Sequence, residues 1–307
     1  MKKITTIACL AIIPFCLNSA VIESWTTLDM PNSIITLAYG VSANNIIGQY
    51  MESGAAPSFL YNGVSWNRIN APEAAGGNGT HANGIDGKNI VGQYSDLLGN
   101  THGFLYNGTS WATIDVPGAN STTIQSISGN NIVGQYSNES GLHSFIYDGT
   151  SWITLNLPTG IVRCNPSSIS GNNVVGDYGG ASGAGHSFIY NNENQSWITI
   201  DMPGAIWTGA QGIDGNNIVG YYQDATGRDH GFLYNGTSWT TIDVPGSRMT
   251  AIRDIDGNNI VGYYEDATGD THGFLFTSSA IPETSTMIQS IVTLFAGGIF
   301  IFLRRRK

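Results

Sequence analysis

The feature that most constrains the fold of this chain is a unit that occurs six times in succession. Each unit holds three recurring phrases, of the types NNIVGQY, GFLY and SW. The tryptophans of the third phrase are Trp25, Trp66, Trp111, Trp152, Trp197 and Trp239. Successive tryptophans lie 41 to 45 residues apart. Self-similarity at such a period is typical of repeat proteins, in which one supersecondary unit is copied and stacked.

One copy of the unit, residues 208–245, indicates four short antiparallel strands. The segments TGAQGID, NIVGYY, HGFLY and SWTTIDV are rich in β-branched and aromatic residues, which favour strands. Gly-Asn and Asn-Gly pairs separate them, and both accept the positive φ angles of tight hairpin turns. Four strands in a unit of this length match a propeller blade.

The pattern inside NIVGYY indicates that both faces of the blade are buried. Ile218 and Tyr222 share one face, and Val219 and Tyr221 share the other. A strand with one solvated face would alternate between apolar and polar residues. A glycine recurs at the centre of this phrase and allows close approach of neighbouring backbones. Its six copies are Gly48, Gly92, Gly134, Gly176, Gly220 and Gly262.

The order of the phrases predicts how the ring closes. The series begins, at Ser24, with the phrase that predicts the fourth strand of a unit. It ends, at His272 to Phe276, with the phrase that predicts the third strand. We therefore predict an all-β, six-bladed propeller over residues 24–277, built from four-stranded blades. Residues 24–30 are expected to pair with residues 273–276 and complete the last blade, which removes exposed sheet edges.

Both ends of the chain indicate export. Residues 1–20 combine Lys2 and Lys3 with an apolar stretch and small residues at Ser19 and Ala20, which predicts a signal peptide. Residues 278–286 are predicted to be a linker, and residues 287–303 a transmembrane helix about 26 Å long. The basic tail, residues 304–307, is expected on the cytoplasmic side. An uncleaved N-terminal anchor and a plain C-terminal anchor are the alternatives.

The C-terminal segment resembles the PEP-CTERM sorting signal of Gram-negative bacteria. Pro282 and Glu283 precede the apolar span, and an arginine cluster follows it. Thr284 stands where that family usually has a second proline. The resemblance implies processing by an exosortase-type membrane enzyme, which would leave the protein at the cell surface or in the extracellular matrix.

The repeats themselves resemble the HAF family of extracellular repeats. The likeness is carried by GYYEDATGDTHGFLF, residues 262–276, and by IDVPG, residues 242–246. It extends over nearly the whole repeated body. The resemblance implies export and a repeat fold, and it implies no particular reaction.

Charge and cysteine content argue against a nucleic-acid-binding protein and against a disulfide-stabilised one. Six of the 12 basic residues lie in the end segments, which leaves six against 22 acidic residues, a formal charge of about −16. Such a body repels phosphate backbones, so we expect no nucleic-acid partner. Cys9 and Cys16 lie in the signal peptide, and Cys164 alone follows it, so no disulfide framework is expected.

Five histidines recur two residues before the repeated phenylalanine, and we predict a structural role for them. They are His102, His143, His186, His230 and His272. Recurrence argues against a single catalytic site and favours hydrogen bonds that fix each blade. The loops before them hold Asp96, Asp224 and Asp266, which are expected to cap their own turns. Calcium binding by these loops is a weaker alternative, and we otherwise expect no cofactor and no metal site.

The candidate ligand-binding residues are those that depart from the repeat. The connections between a fourth strand and the next first strand vary most, and they hold Trp207, Arg163 and His81. Arg248 and Arg253 lie in a further such segment. Trp207 is predicted to stack against a sugar ring, with the arginines as polar anchors. The alternative is that Trp207 fills the core and the arginines are solvated.

The sequence thus predicts a non-enzymatic surface or matrix protein that binds exopolysaccharide or another envelope component. No catalytic residue stands out from the repeats. A propeller-type glycoside hydrolase or lyase remains an alternative, and a hydrolase would need two carboxylates about 5–9.5 Å apart. A protein-binding scaffold is a further alternative.

Overall fold

The computed structural model describes residues 23–52, 54–74, 79–161, 163–179 and 185–279 of the 307-residue chain. These residues form 24 β-strands. Within them, no helix has the length and apolar character needed to cross a membrane. The predicted signal peptide (1–20), the sorting motif Pro282, Glu283 and Thr284, the span 287–303 and the tail 304–307 all lie outside the described residues.

The strands form six antiparallel sheets of four strands each, as predicted for six blades. The first, innermost strands are β2 (Ile35–Ser42), β6 (Thr80–Asp86), β10 (Ser121–Ser128), β14 (Cys164–Ser170), β18 (Trp207–Asp214) and β22 (Met249–Asp256). The second strands are β3 (Asn45–Met51), β7 (Asn89–Ser95), β11 (Asn131–Asn138), β15 (Asn173–Gly179), β19 (Asn217–Gln223) and β23 (Asn259–Glu265). The third strands are β4 (Ser58–Tyr61), β8 (Thr101–Tyr106), β12 (Gly141–Tyr147), β16 (Gly185–Asn191), β20 (Asp229–Tyr234) and β24 (Thr271–Ser278). The fourth, outermost strands are β5 (Trp66–Ile69), β9 (Trp111–Thr113), β13 (Trp152–Thr154), β17 (Ser196–Ile200), β21 (Trp239–Thr241) and β1 (Glu23–Leu28).

The ring closes through strand β1, as the order of the phrases predicted. Strand β1 is the outermost strand of the sheet β1-β24-β23-β22. Its register with β24 runs from Glu23 opposite Ser278 to Leu28 opposite Gly273. The first strands of neighbouring blades contact one another all the way round, including β2 with β22. The last blade is therefore built from both ends of the repeated body.

The core consists of six apolar clusters, and each lies between two consecutive blades. Val133 of the third blade, for example, packs with Val174 and Phe188 of the fourth. Every sheet therefore buries both faces, which explains why both alternating residue sets are apolar. The repeated phenylalanine is at most 1% exposed in every blade. The repeated tryptophan of the outer strand packs on it, with ring centres 4.8 to 5.3 Å apart.

A β-bulge in each first strand shapes the channel at the centre of the ring. The register between first and second strands shifts by one residue in all six blades, as between Ile124 and Ser126. The recurring glycine lies opposite this shift, and a Cβ on Gly134 would overlap the carbonyl oxygen of Thr123. Glycine thus allows the bulge to form. The six extra residues are Tyr39, Asn83, Gln125, Ser167, Gln211 and Arg253.

The two ends of the channel differ in construction. At one end, called the turn end, tight turns join first and second strands. There the last side chain of each first strand accepts a hydrogen bond from a backbone N–H in the next blade's turn. Asp214 accepts from Gly257 at 2.9 Å, and Asp256 accepts from Ala43 at 2.6 Å across the ring closure. The opposite end, called the loop end, carries the longer connections between second and third strands and between blades.

Candidate functional site

The loop-end half of the channel contains a polar cavity of about 430 Å³, called here the channel mouth. Residues from all six blades line it. They are Tyr39, Gln49, Asn83, Gln125, Gln135, Asn165, Pro166, Ser167, Asp177, Gln211, Tyr221 and Arg253. Except for proline, every one of these side chains carries a hydrogen-bonding group. The channel mouth is therefore suited to a polar ligand.

Two positions of the repeat supply most of this lining. One is the bulge residue of the first strand. The other is the residue after the recurring glycine of the second strand. The latter six residues are Gln49, Gln93, Gln135, Asp177, Tyr221 and Tyr263. The phrases around both positions are nearly constant. The bulge position holds five residue types in the six blades, and the second-strand position holds Gln in three blades, Asp in one and Tyr in two. The repeat thus provides the scaffold, and its variable positions provide the chemistry.

The first two blades contribute amide groups that already bond to one another. The Tyr39 hydroxyl donates to Gln49 Oε1 at 3.3 Å. The Gln49 amide is also bonded to His81 Nδ1. Asn83 Nδ2 donates to Gln93 Oε1 at 2.6 Å, and also to the main chain of the third blade. These side chains are held in place before any ligand arrives, which reduces the entropy cost of binding.

A second chain of hydrogen bonds runs through the third and fourth blades to a carboxylate. Gln135 Nε2 donates to Asn165 Oδ1 at 3.0 Å, and Asn165 Nδ2 donates to Asp177 Oδ2 at 2.8 Å. Burial raises the pKa of Asp177, while the bond from Asn165 and the charges of Arg163 and Arg253 oppose that rise. We call Gln49, Asn83, Gln93, Gln135 and Asn165 the amide arc.

The fifth and sixth blades present polar side chains that make no hydrogen bond or ion pair within the described residues. Within the described residues, no side-chain hydrogen bond or ion pair involves Gln211, Tyr221, Tyr263 or Arg253. We call these four residues the open donors. Arg253 lies over the ring of Tyr39, with its guanidinium carbon 5.3 Å from the ring centre. The cation–π contact orients the guanidinium and leaves its N–H groups unused.

Trp207 lies beside the open donors at the loop end of β18. Its ring centre is 4.9 Å from that of Tyr221. The indole also covers Gly185 of the fourth blade and Gly209 of its own strand, and a side chain at either glycine would overlap it. The tryptophan is half-buried, so it both packs between two blades and borders the channel mouth.

Of the five predicted binding residues, Arg253 lines the channel mouth. Trp207 and His81 lie one step away, in contact with the lining residues Tyr221 and Gln49. Arg163 is exposed, and its charge lowers the pKa of Asp177. Burial lowers the pKa of His81, which favours its neutral form. Trp207 and Arg163 occupy the same repeat position in adjacent blades, because Thr208 and Cys164 pair with equivalent tyrosines.

Arg248 lies elsewhere. Its Nη1 atom is 2.7 Å from Glu265 Oε1, in a separate groove between the fifth and sixth blades. Arg228 lines the same groove and donates to the carbonyl oxygen of Ser247 at 2.8 Å. Arg248 is therefore not grouped with the other candidate residues.

The recurring histidines make contacts within their own blades, and none of these five residues lines the channel mouth. His102 Nδ1 is 2.7 Å from Asp115 Oδ2, and its ring stacks on Tyr94. The hydrogen bond to Asp115 is the main cause that raises the pKa of His102. His186, His230 and His272 bond in the same way to the aspartate after the fourth strand. His143 instead bonds to Ser140 and Asn138.

The acidic loops before these histidines form compact turns. Asp266 accepts hydrogen bonds from the backbone N–H groups of Thr268, Gly269 and Asp270. Side-chain hydrogen bonds, from Asn100 to Asp96 and from Thr268 to Asp266, together with such backbone bonds, lower the pKa of both carboxyl groups to about 2. Across the described part of the chain, no group of three or more His, Cys, Asp or Glu residues is placed to hold a metal ion.

Comparison with known proteins shows likeness at the level of fold. No family model and no curated protein matches the chain. The SapL1 lectin, solved with α-methyl fucoside, superposes with a TM-score of 0.52 at 15% identity, over 80% of this chain and 96% of that one. A mutant of AofleA from Arthrobotrys oligospora, in which arginines are replaced by alanine, gives 0.51 at 12% identity, over 86% and 91%. TolB from Acinetobacter baumannii gives 0.52 at 12% identity, over 81% and 65%.

Proposed function

We propose that this protein is an exported, non-enzymatic carbohydrate-binding propeller and that the channel mouth is its binding site. The observation that carries the proposal is the lining of amide, hydroxyl and guanidinium groups around a cavity of about 430 Å³. Small-ligand sites commonly have volumes of about 300–1,000 Å³. The cavity is thus large enough for one or two sugar rings.

The chemistry of the lining suits sugars. Each sugar hydroxyl both donates and accepts hydrogen bonds, and Asn and Gln amides offer both functions on one group. Tyr39, Tyr221 and the neighbouring Trp207 add flat rings that can lie against the C–H faces of a sugar. The polar groups provide orientation, and the rings provide apolar contact area.

The comparison with solved propellers supports the proposal at the level of fold. The SapL1 structure is described as a lectin in complex with α-methyl fucoside. A propeller of similar fold can therefore bind a sugar. Because fold does not determine function, the residues of the channel mouth are the main support for sugar binding.

The location of the protein is proposed from the sequence. The predicted signal peptide and the likeness to a PEP-CTERM signal support export across the inner membrane, with a transient membrane-inserted stage. An exosortase-type enzyme would then remove the C-terminal span. The partner expected at the cell surface or in the matrix is an exopolysaccharide or another envelope component.

The first test is co-sedimentation of residues 21–280 with exopolysaccharide from the source organism, with reducing ends assayed in the same samples. We expect the protein to pellet with the polymer and to release no new reducing ends. The double variant Gln211→Ala with Tyr221→Phe should bind about tenfold more weakly or worse, since each lost hydrogen bond contributes about 0.5–1.5 kcal/mol.

The matched control is Asn67→Ala with Tyr106→Phe, which removes the same kinds of groups far from the channel mouth. This control should bind like the unaltered protein. New reducing ends would instead identify a polysaccharide-degrading enzyme. Absence of both binding and cleavage would refute the proposal and leave a protein-binding scaffold as the better description.

A further inference from the structure

Among the described residues, Arg253 is the only basic one that lines the channel mouth. It is the bulge residue of β22, so the strand register itself directs it to the channel. Other arginines of the repeated body differ in their surroundings. Arg68 and Arg248 form ion pairs with glutamates, and Arg228 donates to a backbone carbonyl.

The charge of Arg253 has no direct partner in the described part of the chain, where no carboxylate oxygen lies within 4.0 Å of its guanidinium group. The charge of Arg253 lowers the pKa of Asp177, but the Oδ2 atom of Asp177 accepts its hydrogen bond from Asn165. The Arg253 side chain is half-buried and its N–H groups are not taken up by another side chain, so they can bind an anion that enters the channel mouth.

The groups around Arg253 add hydrogen-bond donors. The open donors comprise two tyrosine hydroxyls, one glutamine amide and the guanidinium. On the opposite side, the acceptor oxygens of Gln49, Gln93 and Asn165 already receive hydrogen bonds. The fifth and sixth blades therefore offer donors to a ligand that brings its own acceptors. A planar carboxylate matches the forked guanidinium, which can bind it through two parallel bonds.

We infer that the channel mouth recognises the carboxylate of an acidic sugar, such as a uronic acid, with Arg253 as its direct partner. The inference rests on the proposed function and narrows its ligand from carbohydrates in general to acidic ones. The acidic body, with a formal charge of about −16, gives no long-range attraction for such a ligand. Recognition must therefore come from direct contact inside the channel mouth.

The test compares one polymer before and after its carboxyl groups are chemically reduced to hydroxymethyl groups. The full-length protein, kept soluble in detergent, is titrated with the native and with the carboxyl-reduced exopolysaccharide. We expect binding of the reduced polymer to be about 10 to 100 times weaker, which is the usual range for a charge-assisted hydrogen-bonded pair.

Two arginine variants complete the test. Arg253→Gln should weaken binding of the native polymer to the level of the reduced one, and Arg248→Gln should not. Because the Arg253 side chain makes no hydrogen bond or ion pair within the described residues, its variant loses only the cation–π contact with Tyr39 and should keep a melting temperature close to that of the unaltered protein. If Arg253→Gln fails to fold, the comparison of the two polymers still shows whether the protein recognises the carboxyl group.

The possible failures are distinguishable. Equal binding of the native and reduced polymers would overturn the acidic-sugar inference and leave carbohydrate binding intact. The inference would also be overturned if Arg248→Gln, and not Arg253→Gln, bound the native and reduced polymers equally. The carboxylate would then bind in the groove that holds Arg248. Binding of neither polymer would overturn both the inference and the proposed function.

Discussion

At the scale of single residues, the informative positions are those where the six copies differ. The bulge position holds Tyr39, Asn83, Gln125, Ser167, Gln211 and Arg253 in the six blades, while the glycine opposite it does not change. A ring of identical blades would surround its channel with identical groups. The differences place the amide arc on one side of the channel mouth and the open donors, with the Arg253 guanidinium, on the other.

Part of this site could be predicted from the sequence. Trp207, Arg163, Arg253 and His81 stand out because they interrupt the repeat. The amide arc and the tyrosines could not be assigned, because one extra residue in a strand reverses which side chains face the channel. By residue type alone, Asn83 and Gln125 could equally be solvent-exposed residues of a strand. A comparison of the six copies would show only that these positions vary.

A half-buried carboxylate at the turn end, Asp254, predicts a pH-dependent stability. Burial, together with the charges of Asp256 and Asp214, raises the pKa of Asp254 to about 7, although the Val41 N–H donates to its Oδ2 atom at 2.9 Å. A folded-state pKa above the unfolded value of 3.8 means that stability is lost as pH rises from about 4 to about 7. The slope from this group is at most about 1.4 kcal/mol per pH unit.

Asp254→Asn should flatten this dependence, since an amide does not titrate. The measurement is the free energy of unfolding in urea between pH 4.5 and pH 8. Ser168→Ala alters the same repeat position in the fourth blade without removing an ionisable group, and it should keep the pH dependence of the unaltered protein. Identical slopes for Asp254→Asn and the unaltered protein would contradict the prediction.

At the scale of strands and turns, the sequence specified the hairpins well. Gly-Asn and Asn-Gly pairs correctly marked the tight turns, because positive φ there strongly favours glycine. The turn between β2 and β3 is the exception. Ala43 has φ of +51°, where the other five blades have glycine with φ between +54° and +59°. An alanine in this left-handed region carries a backbone cost of about 1–2 kcal/mol.

Ala43→Gly should therefore stabilise the protein. The gain should be about 0.5–1 kcal/mol, because relief of the strained angle exceeds the added chain entropy of glycine in the unfolded state. Urea unfolding at constant pH measures it. The converse change in the second blade, Gly87→Ala, should destabilise by about 1 kcal/mol. A loss of stability in Ala43→Gly would show that the alanine methyl group contributes packing that outweighs the strain.

At the scale of the whole molecule, closure by β1 is the feature on which the ring depends. Trp25 lies 4.5 Å from Phe276 between ring centres, and Leu28 is buried between the last and first blades. Without β1, strand β24 would be an unpaired edge beside an open apolar cluster. Exposed edges of this kind promote pairing with other chains.

Deletion of residues 23–28 should therefore cause aggregation and abolish cooperative unfolding. Size-exclusion chromatography with light scattering and a thermal melt would measure both effects. Removal of residues 1–22 alone, which leaves β1 intact, should keep the oligomeric state and the Tm of the unaltered protein. A 23–28 deletion variant that also keeps both would show that three strands suffice in the last blade.

The position of β1 also determines which way the body would face on a surface. Strand β24 runs toward the turn end, where the Ser278 N–H donates to the carbonyl oxygen of Asn258, and Glu23 pairs with Ser278. Both ends of the repeated body therefore leave from the face opposite the channel mouth. If the predicted anchor beyond residue 279 tethers the body, its turn end faces the membrane and its channel mouth faces away from the membrane. Tethering and ligand capture would then use opposite faces and would not compete for space.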